Sequence, residues 1–200
     1  MASASSSDGL YVADTVQRSA KILVVGAFGV GKTTLIGSVS EIDPLRTEEA
    51  MTTASVGIDD LAGLDDKKAT TVAMDFGRVT VTPELVLYLF GTPGQRRFWD
   101  LWEGLAEGAV GALVLVDTRR LEHSFEVLDQ LETHSKGMPF AVAINNFPDS
   151  PRYDAEELVE ALDLPPGTPV VECDARQRSD SARGLITLVE HALAAQRVAS

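Results

Sequence analysis

The feature that most constrains this chain is the octapeptide Gly26-Ala27-Phe28-Gly29-Val30-Gly31-Lys32-Thr33, with the spacing G-x-x-x-x-G-K-T. It follows the apolar run Ile22-Leu23-Val24-Val25 and opens into a helix-compatible stretch at 33–39, so it reads as strand, glycine loop, helix. Each part answers a chemical need. Glycines let the backbone turn tightly and bring its N–H groups onto phosphate oxygens. The helix N-terminus beyond adds positive potential. Lys32 would reach the β- and γ-phosphates, and the Thr33 hydroxyl would meet Mg²⁺. The pattern implies a bound nucleoside triphosphate, held by Gly26, Ala27, Phe28, Gly29, Val30, Gly31, Lys32 and Thr33, with Thr34 adjoining.

The rest of the chain supplies a sheet for that loop. The run at 22–25 is continuously apolar, as in a parallel strand buried on both faces. Further strands are expected at 78–82 (following on 70–77), 85–90, 111–116, 140–144 and 169–173, and helices at 33–39, 96–107, 121–134, 154–162 and 182–198. This alternation is α/β: a mostly parallel six-stranded sheet flanked by helices, with one antiparallel strand from the hairpin at 78–90. The helix at 96–107 would bury Phe98, Leu101, Trp102 and Leu105, with Trp99 off that stripe. The helix at 121–134 would be capped by Asp117 or Thr118. The last helix would bury Leu185, Ile186, Val189 and Leu193. Residues 1–18, rich in Ser and Ala, read as a flexible tail, leaving 19–200 as one domain, with a long acidic loop at 41–68. Ligands of such sheets bind at the carboxyl ends of the strands, where 26–33, 91–95, 145–149 and 173–176 fall together.

Composition narrows the context. A formal net charge of −13 argues against nucleic acid as a partner and against direct attraction to anionic lipid. No apolar run is long enough to span a membrane, and no basic-then-apolar leader opens the chain. The one cysteine, Cys173, has no internal partner and reads as buried, and His123, His134 and His191 stand at no metal-ligand spacing. The expectation is a cytoplasmic protein without direct membrane insertion.

The strand at 85–90 runs into Gly91-Thr92-Pro93-Gly94-Gln95, which resembles the D-x-x-G-Q of Ras-like small GTPases. The resemblance covers roughly residues 20 to 198, with the motifs in family order. It implies a P-loop NTPase with a Ras-like G domain, binding GTP and GDP with Mg²⁺. Gly94 would sense the γ-phosphate and Gln95 would orient the attacking water. Thr71-Val72-Ala73-Met74-Asp75 resembles the T-I-G-F-N of Arf-like members, so Thr71, with Thr70 as the alternative, would close on metal and γ-phosphate. Catalysis would then rest on Gln95, Lys32 and Thr71, and the metal on Thr33 and Thr71.

This sequence departs from the family at three places. Gly91 stands where the family has its metal-side aspartate, with Asp75 the nearest substitute. Phe28 replaces a glycine and would crowd the γ-phosphate and bar an arginine finger, which implies slow hydrolysis. Arg96 and Arg97 are fingers in cis, partner contacts or solvated charge. The third departure is in base reading. Asn145 matches N-K-x-D, Asn146 replaces its lysine, and Pro148 holds the acid's position with Asp149 one residue late. Asp149 reads guanine if the loop bulges by one residue; otherwise ATP becomes the alternative ligand. Asp174-Ala175-Arg176 resembles S-A-K, in which the Ala175 N–H would reach guanine O6.

The stretches G-A-F-G-V-G-K-T-T, T-T-V-A-M-D-F-G, L-F-G-T-P-G-Q-R-R-F-W and V-D-T-R-R-L together resemble the MglA-related GTP-binding proteins of actinobacterial conservon operons (CvnD type). That resemblance implies a bacterial signalling switch. Its partners would be a roadblock-type regulator and a membrane histidine-kinase-like protein, which would recruit it to the membrane. Two alternatives stay open: a nucleotide-binding interaction module with negligible hydrolysis, and an ATP-using P-loop protein.

Overall fold

Side chains alternate across a strand, so the apolar run at 22–25 feeds two cores at once. Ile22 and Val24 enter one, Leu23 and Val25 the other, and all four are buried. The computed structural model describes residues 15–43, 45–51, 70–94 and 101–199. In order these form β1 (Arg18–Val25), α1 (Lys32–Val39), β2 (Leu45–Met51), β3 (Thr70–Thr82), β4 (Leu85–Gly91), α2 (Trp102–Ala106), β5 (Ala109–Val116), a 3-10 turn (Thr118–Arg120), α3 (Glu122–His134), β6 (Phe140–Asn145), α4 (Ala155–Ala161), β7 (Val170–Cys173) and α5 (Arg178–Ala199).

The strands make one sheet in the order β2-β3-β4-β1-β5-β6-β7. β3 runs antiparallel to both neighbours, and every other adjacent pair is parallel. This is the expected mostly parallel α/β sheet with flanking helices. It carries a seventh strand among the described residues, because part of the stretch read as an acidic loop at 41–68 pairs with β3, Ala50 opposite Thr71. The sequence of β2 shows no apolar alternation. An edge strand needs only one backbone ladder, so periodicity does not betray it.

On one face α1 and α5 contribute Leu35, Ile36, Val39, Leu185 and Leu188; on the other, α2, α3 and α4 contribute Trp102, Val127, Leu131 and Leu158. Each fully buried aliphatic side chain supplies about 1.5–3 kcal/mol. The last helix buries a different stripe from the expected one. Leu185, Leu188 and Ala192 are buried, whereas Ile186 and Leu193 are exposed, because α5 lays a narrower face on β5–β7. Asp117 Oδ1 accepts the Arg119 N–H at 3.0 Å, so it caps the 3-10 turn and not α3. At α4, Glu157 Oε2 accepts the Asp154 N–H at 2.9 Å.

β1 starts before the apolar run at 22–25, at Arg18. The Gln17 and Arg18 amides donate to Glu84 O at 3.0 and 2.9 Å, and Thr15 Oγ1 to Pro83 O at 2.8 Å. These residues, read as tail, are tied to the β3–β4 turn; the rest of the expected tail, 1–14, lies outside the described residues. So do Gln95, Arg96, Arg97, Phe98 and Trp99. Trp102 is 1% exposed, as its stripe required.

Because β1, β4, β5, β6 and β7 run the same way, residues 26–33, 91–94, 117–120, 145–149 and 174–176 emerge at one edge of the sheet. β3 runs against them, so its first half comes to the same edge.

Candidate nucleotide site

The glycine loop is braced from behind. Gly31 has φ 107°, and a Cβ there would stand 2.5 Å from Asn145 Nδ2. Asn145 is buried at the end of β6; its Nδ2 donates to Val30 O at 2.8 Å and its Oδ1 accepts the Ala175 N–H at 3.0 Å. One amide thus joins the phosphate loop to the loop after β7. Lys32 Nζ lies under the loop and donates to Gly26 O at 2.6 Å and Ala27 O at 2.8 Å. Burial pushes its pKa down to about 8, opposed in part by the Asp75 carboxylate.

Thr33 Oγ1 donates to Asp75 Oδ2 at 2.5 Å. Asp75 stands directly opposite Gly91 in the β3–β4 ladder. A Cβ on Gly91 would come within 3.0 Å of Asp75 Cβ and 3.3 Å of its Oδ2. The carboxylate missing at 91 is therefore delivered to the α1 side of the sheet by the neighbouring strand, and its backbone position leaves no room for a second side chain. The register that does this is pinned on the other face, where Phe76 meets Phe90 edge-on at 5.1 Å and stacks on Tyr88 at 5.7 Å.

Gly94 closes over the loop. A Cβ on it would meet Phe28 N at 2.7 Å and Lys32 Nζ at 2.8 Å, so only a glycine approaches this near. Phe28 is 67% exposed beside the loop. Thr34 is exposed on α1. Thr70 and Thr71 lie in β3 opposite Met51 and Ala50; their side chains, and Gln95, fall outside what is described.

The loops expected to read the base are satisfied among themselves. The Ala175 N–H, expected to reach guanine O6, is taken by Asn145. The Arg176 N–H goes to Asp174 Oδ1 at 3.0 Å, and the Arg176 guanidinium forks onto the same carboxylate at 2.8 and 2.8 Å, holding Asp174 below the usual carboxylate range. The Asn146 N–H donates to Cys173 O at 2.8 Å and extends the sheet. Asp149 is exposed on a turn closed by Ser150, whose N–H donates to Phe147 O at 3.1 Å and whose Oγ accepts from Phe147 N at 3.0 Å. Cys173 is fully buried, and burial pushes its thiol up to about 11.

The sequence offered Asp117 or Thr118 as a helix cap and V-D-T-R-R-L as part of the family resemblance, without a place in the site; the structure brings residues 117–120 to the same edge. The available signal was a cluster of charges directly after an apolar strand.

Fold and site define a nucleotide-binding protein of the P-loop class with a G-domain architecture. The chain belongs to the family described as conserved hypothetical ATP binding protein, whose model matches residues 24–195. It is 32% identical over 127 residues to an uncharacterized protein of Methanocaldococcus jannaschii, covering 62% of this chain and 68% of that protein. It is 31% identical over 123 residues to the Ras-related protein Rab-40A-like of Homo sapiens, covering 60% of this chain but only 38% of that protein. With the Ras-related protein Rab-18-B of Danio rerio the identity is 30% over 124 residues, covering 60% of this chain and 52% of the relative. Among solved structures, the G domain of the T. maritima FeoB iron transporter superposes with a TM-score of 0.60 at 18% identity, covering 88% of this chain and 99% of that one. The FeoB cytosolic domain in a GDP form gives 0.61, with 88% of this chain and 64% of that one covered. At such identity the structural likeness establishes the fold. Among the described residues, no helix is long and apolar enough to cross a membrane.

Proposed function

We propose that this chain is a guanine-nucleotide switch of bacterial signalling that binds GTP with Mg²⁺ and hydrolyses it slowly. The observation that carries the reading is the Thr33–Asp75 pair at 2.5 Å. A hydroxyl and a carboxylate side by side at the foot of the phosphate loop are the hard oxygen donors that suit Mg²⁺, which takes one or two protein oxygens and completes its shell with phosphate oxygens and water. The residues fit that ion, with Thr33 and Asp75 as its protein side. Bound there, Mg²⁺ would neutralise charge on the phosphate oxygens. Lys32 supplies a second positive charge from beneath the loop, and Gly94 places its backbone where a γ-phosphate would be sensed. Phe28, exposed beside the loop, obstructs a cation approaching from a partner, which favours a low rate. The likeness to Ras-related Rab proteins, and to a FeoB domain solved in a GDP form, favours a guanine nucleotide. The finer resemblance to conservon GTP-binding proteins, with a roadblock-type regulator and a membrane histidine-kinase-like partner that recruits the chain to the membrane, stands in this proposal on the motifs alone.

A specific observation favours a second reading. The Ala175 and Arg176 amides are both engaged internally, so neither offers a preset donor to guanine O6, and the family description names ATP. The test is binding of fluorescent GDP, GTP and ATP analogues with and without Mg²⁺. Guanine preference, tightened by Mg²⁺ in the wild type and not in Asp75→Asn, supports the switch. Binding biased to ATP would replace the guanine reading with the adenine one.

A further inference from the structure

At the carboxyl end of β5, one buried carboxylate holds two guanidinium groups. Asp117 is 4% exposed. Its Oδ1 accepts from Arg119 N at 3.0 Å and Nε at 2.9 Å, and its Oδ2 from Arg119 Nη2 at 2.8 Å. Arg119 also lies over Phe147, its Cζ 3.6 Å from the ring centroid, so it is fixed on two sides. Arg120 is held far less. Among the described residues its partner is Asp117 Oδ2, at 3.4 Å, and its side chain is 41% exposed. Yet its Nη2 stands 3.6 Å from where a Cβ on Gly29 would be. Gly29 lies in the middle of the phosphate loop, among the N–H groups that face a bound nucleotide.

We propose that Arg120 is a phosphate-contacting residue of this site. On nucleotide entry its guanidinium swings from Asp117 onto an α- or β-phosphate oxygen, while Asp117 acts as the positioning residue that keeps it beside the loop. The inference rests on the nucleotide reading above. Two physical arguments carry it. Arg119 already forks onto Asp117 with three short bonds, so the Arg120 guanidinium is the less committed of the two charges beside the loop. And a 3.4 Å contact lies beyond ordinary N–H···O distances, so little is lost on leaving it, whereas a guanidinium on a phosphate makes a short charge-assisted bond.

The experiment titrates fluorescent GDP and ADP into the full chain, wild type, Arg120→Ala and Arg120→Lys, at low salt and at about 0.5 M salt. The expected result is a Kd for the preferred diphosphate raised about 10- to 100-fold in Arg120→Ala and partly recovered in Arg120→Lys. The gap should narrow at high salt, with the melting temperature of the nucleotide-free protein unchanged. Equal Kd in wild type and Arg120→Ala overturns the assignment. So does a salt-insensitive loss that comes with a lowered melting temperature, because that marks packing. If wild type binds neither diphosphate, the nucleotide reading itself fails, an outcome separate from tight wild-type binding that Arg120→Ala leaves intact.

Discussion

The two ends of the candidate site differ in the chemistry they gather. The phosphate end holds a buried lysine bonded to the Gly26 and Ala27 carbonyls beneath a glycine loop, a threonine paired with a carboxylate, and a glycine closing above. At the base end polar groups are satisfied by one another: Asn145 with Ala175, Asp174 with Arg176, Phe147 with Ser150. A phosphate carries concentrated charge and must be met by charges and dipoles already in place. A base can be read after local bonds exchange, at a cost paid by the nucleotide's binding energy. On the proposed reading, the phosphate end sets affinity and the base end, as it stands, discriminates weakly.

The largest effect that would break this contrast is at Lys32. Lys32→Ala should weaken GDP and GTP binding at least ~100-fold, measured by fluorescence titration, since it removes the charge meeting the β- and γ-phosphates. A small effect there would make the phosphate end no more prepared than the base end. Next comes Asn145, which joins the two ends. Asn145→Ala leaves Val30 O and the Ala175 N–H without their partner, and should cost about 2 kcal/mol or more in denaturant unfolding together with nucleotide affinity. Asp75→Asn should remove roughly tenfold of the Mg²⁺-dependent part of GTP binding and leave Mg²⁺-free GDP binding unchanged. In the paired exchange Asp75→Gly with Gly91→Asp, that dependence should return, because the acid moves to the opposing position of the same ladder.

Proton linkage sharpens the comparison further. Lys32 falls from 10.5 in the unfolded chain to about 8 in the fold. Between those values the unfolded chain binds more protons, so nucleotide-free stability should rise with pH from about 8 to 10.5. The phosphates favour the charged lysine, so binding near pH 8 should take up protons, seen by calorimetry in buffers of different ionisation enthalpy, and affinity should fall as pH climbs past that value. The smallest effect is expected at the base end. Asp149→Asn should change the ratio of GDP to ADP affinity by less than about threefold, for an exposed carboxylate on a closed turn. A loss of tenfold or more would show that the turn opens to read guanine.

Much of the fold was legible in the sequence because its signals are local. Continuous apolar strands, alternating helices and a strand–turn–strand hairpin are written in neighbouring residues, and β2 escaped because an edge strand needs no periodic side chains. The stripe of α5 was misjudged for a related reason: Ile186 and Leu193 are apolar, but which helical face is covered depends on how the helix lies on the sheet.

The phosphate loop was determined by the sequence itself, since eight consecutive residues carry the turn, the dipoles, the lysine and the hydroxyl. What only the tertiary structure decided are the partnerships between distant residues. Asp75 meets Thr33 because the β3–β4 register sets it opposite Gly91. Asn145 meets Val30 and Ala175 because β6 ends between them. Arg120 stands by Gly29 because β1 and β5 are neighbours whose carboxyl ends share an edge. A sequence shows which groups a chain owns, but distances between its far parts come from sheet order and register, which are set by packing over the whole molecule.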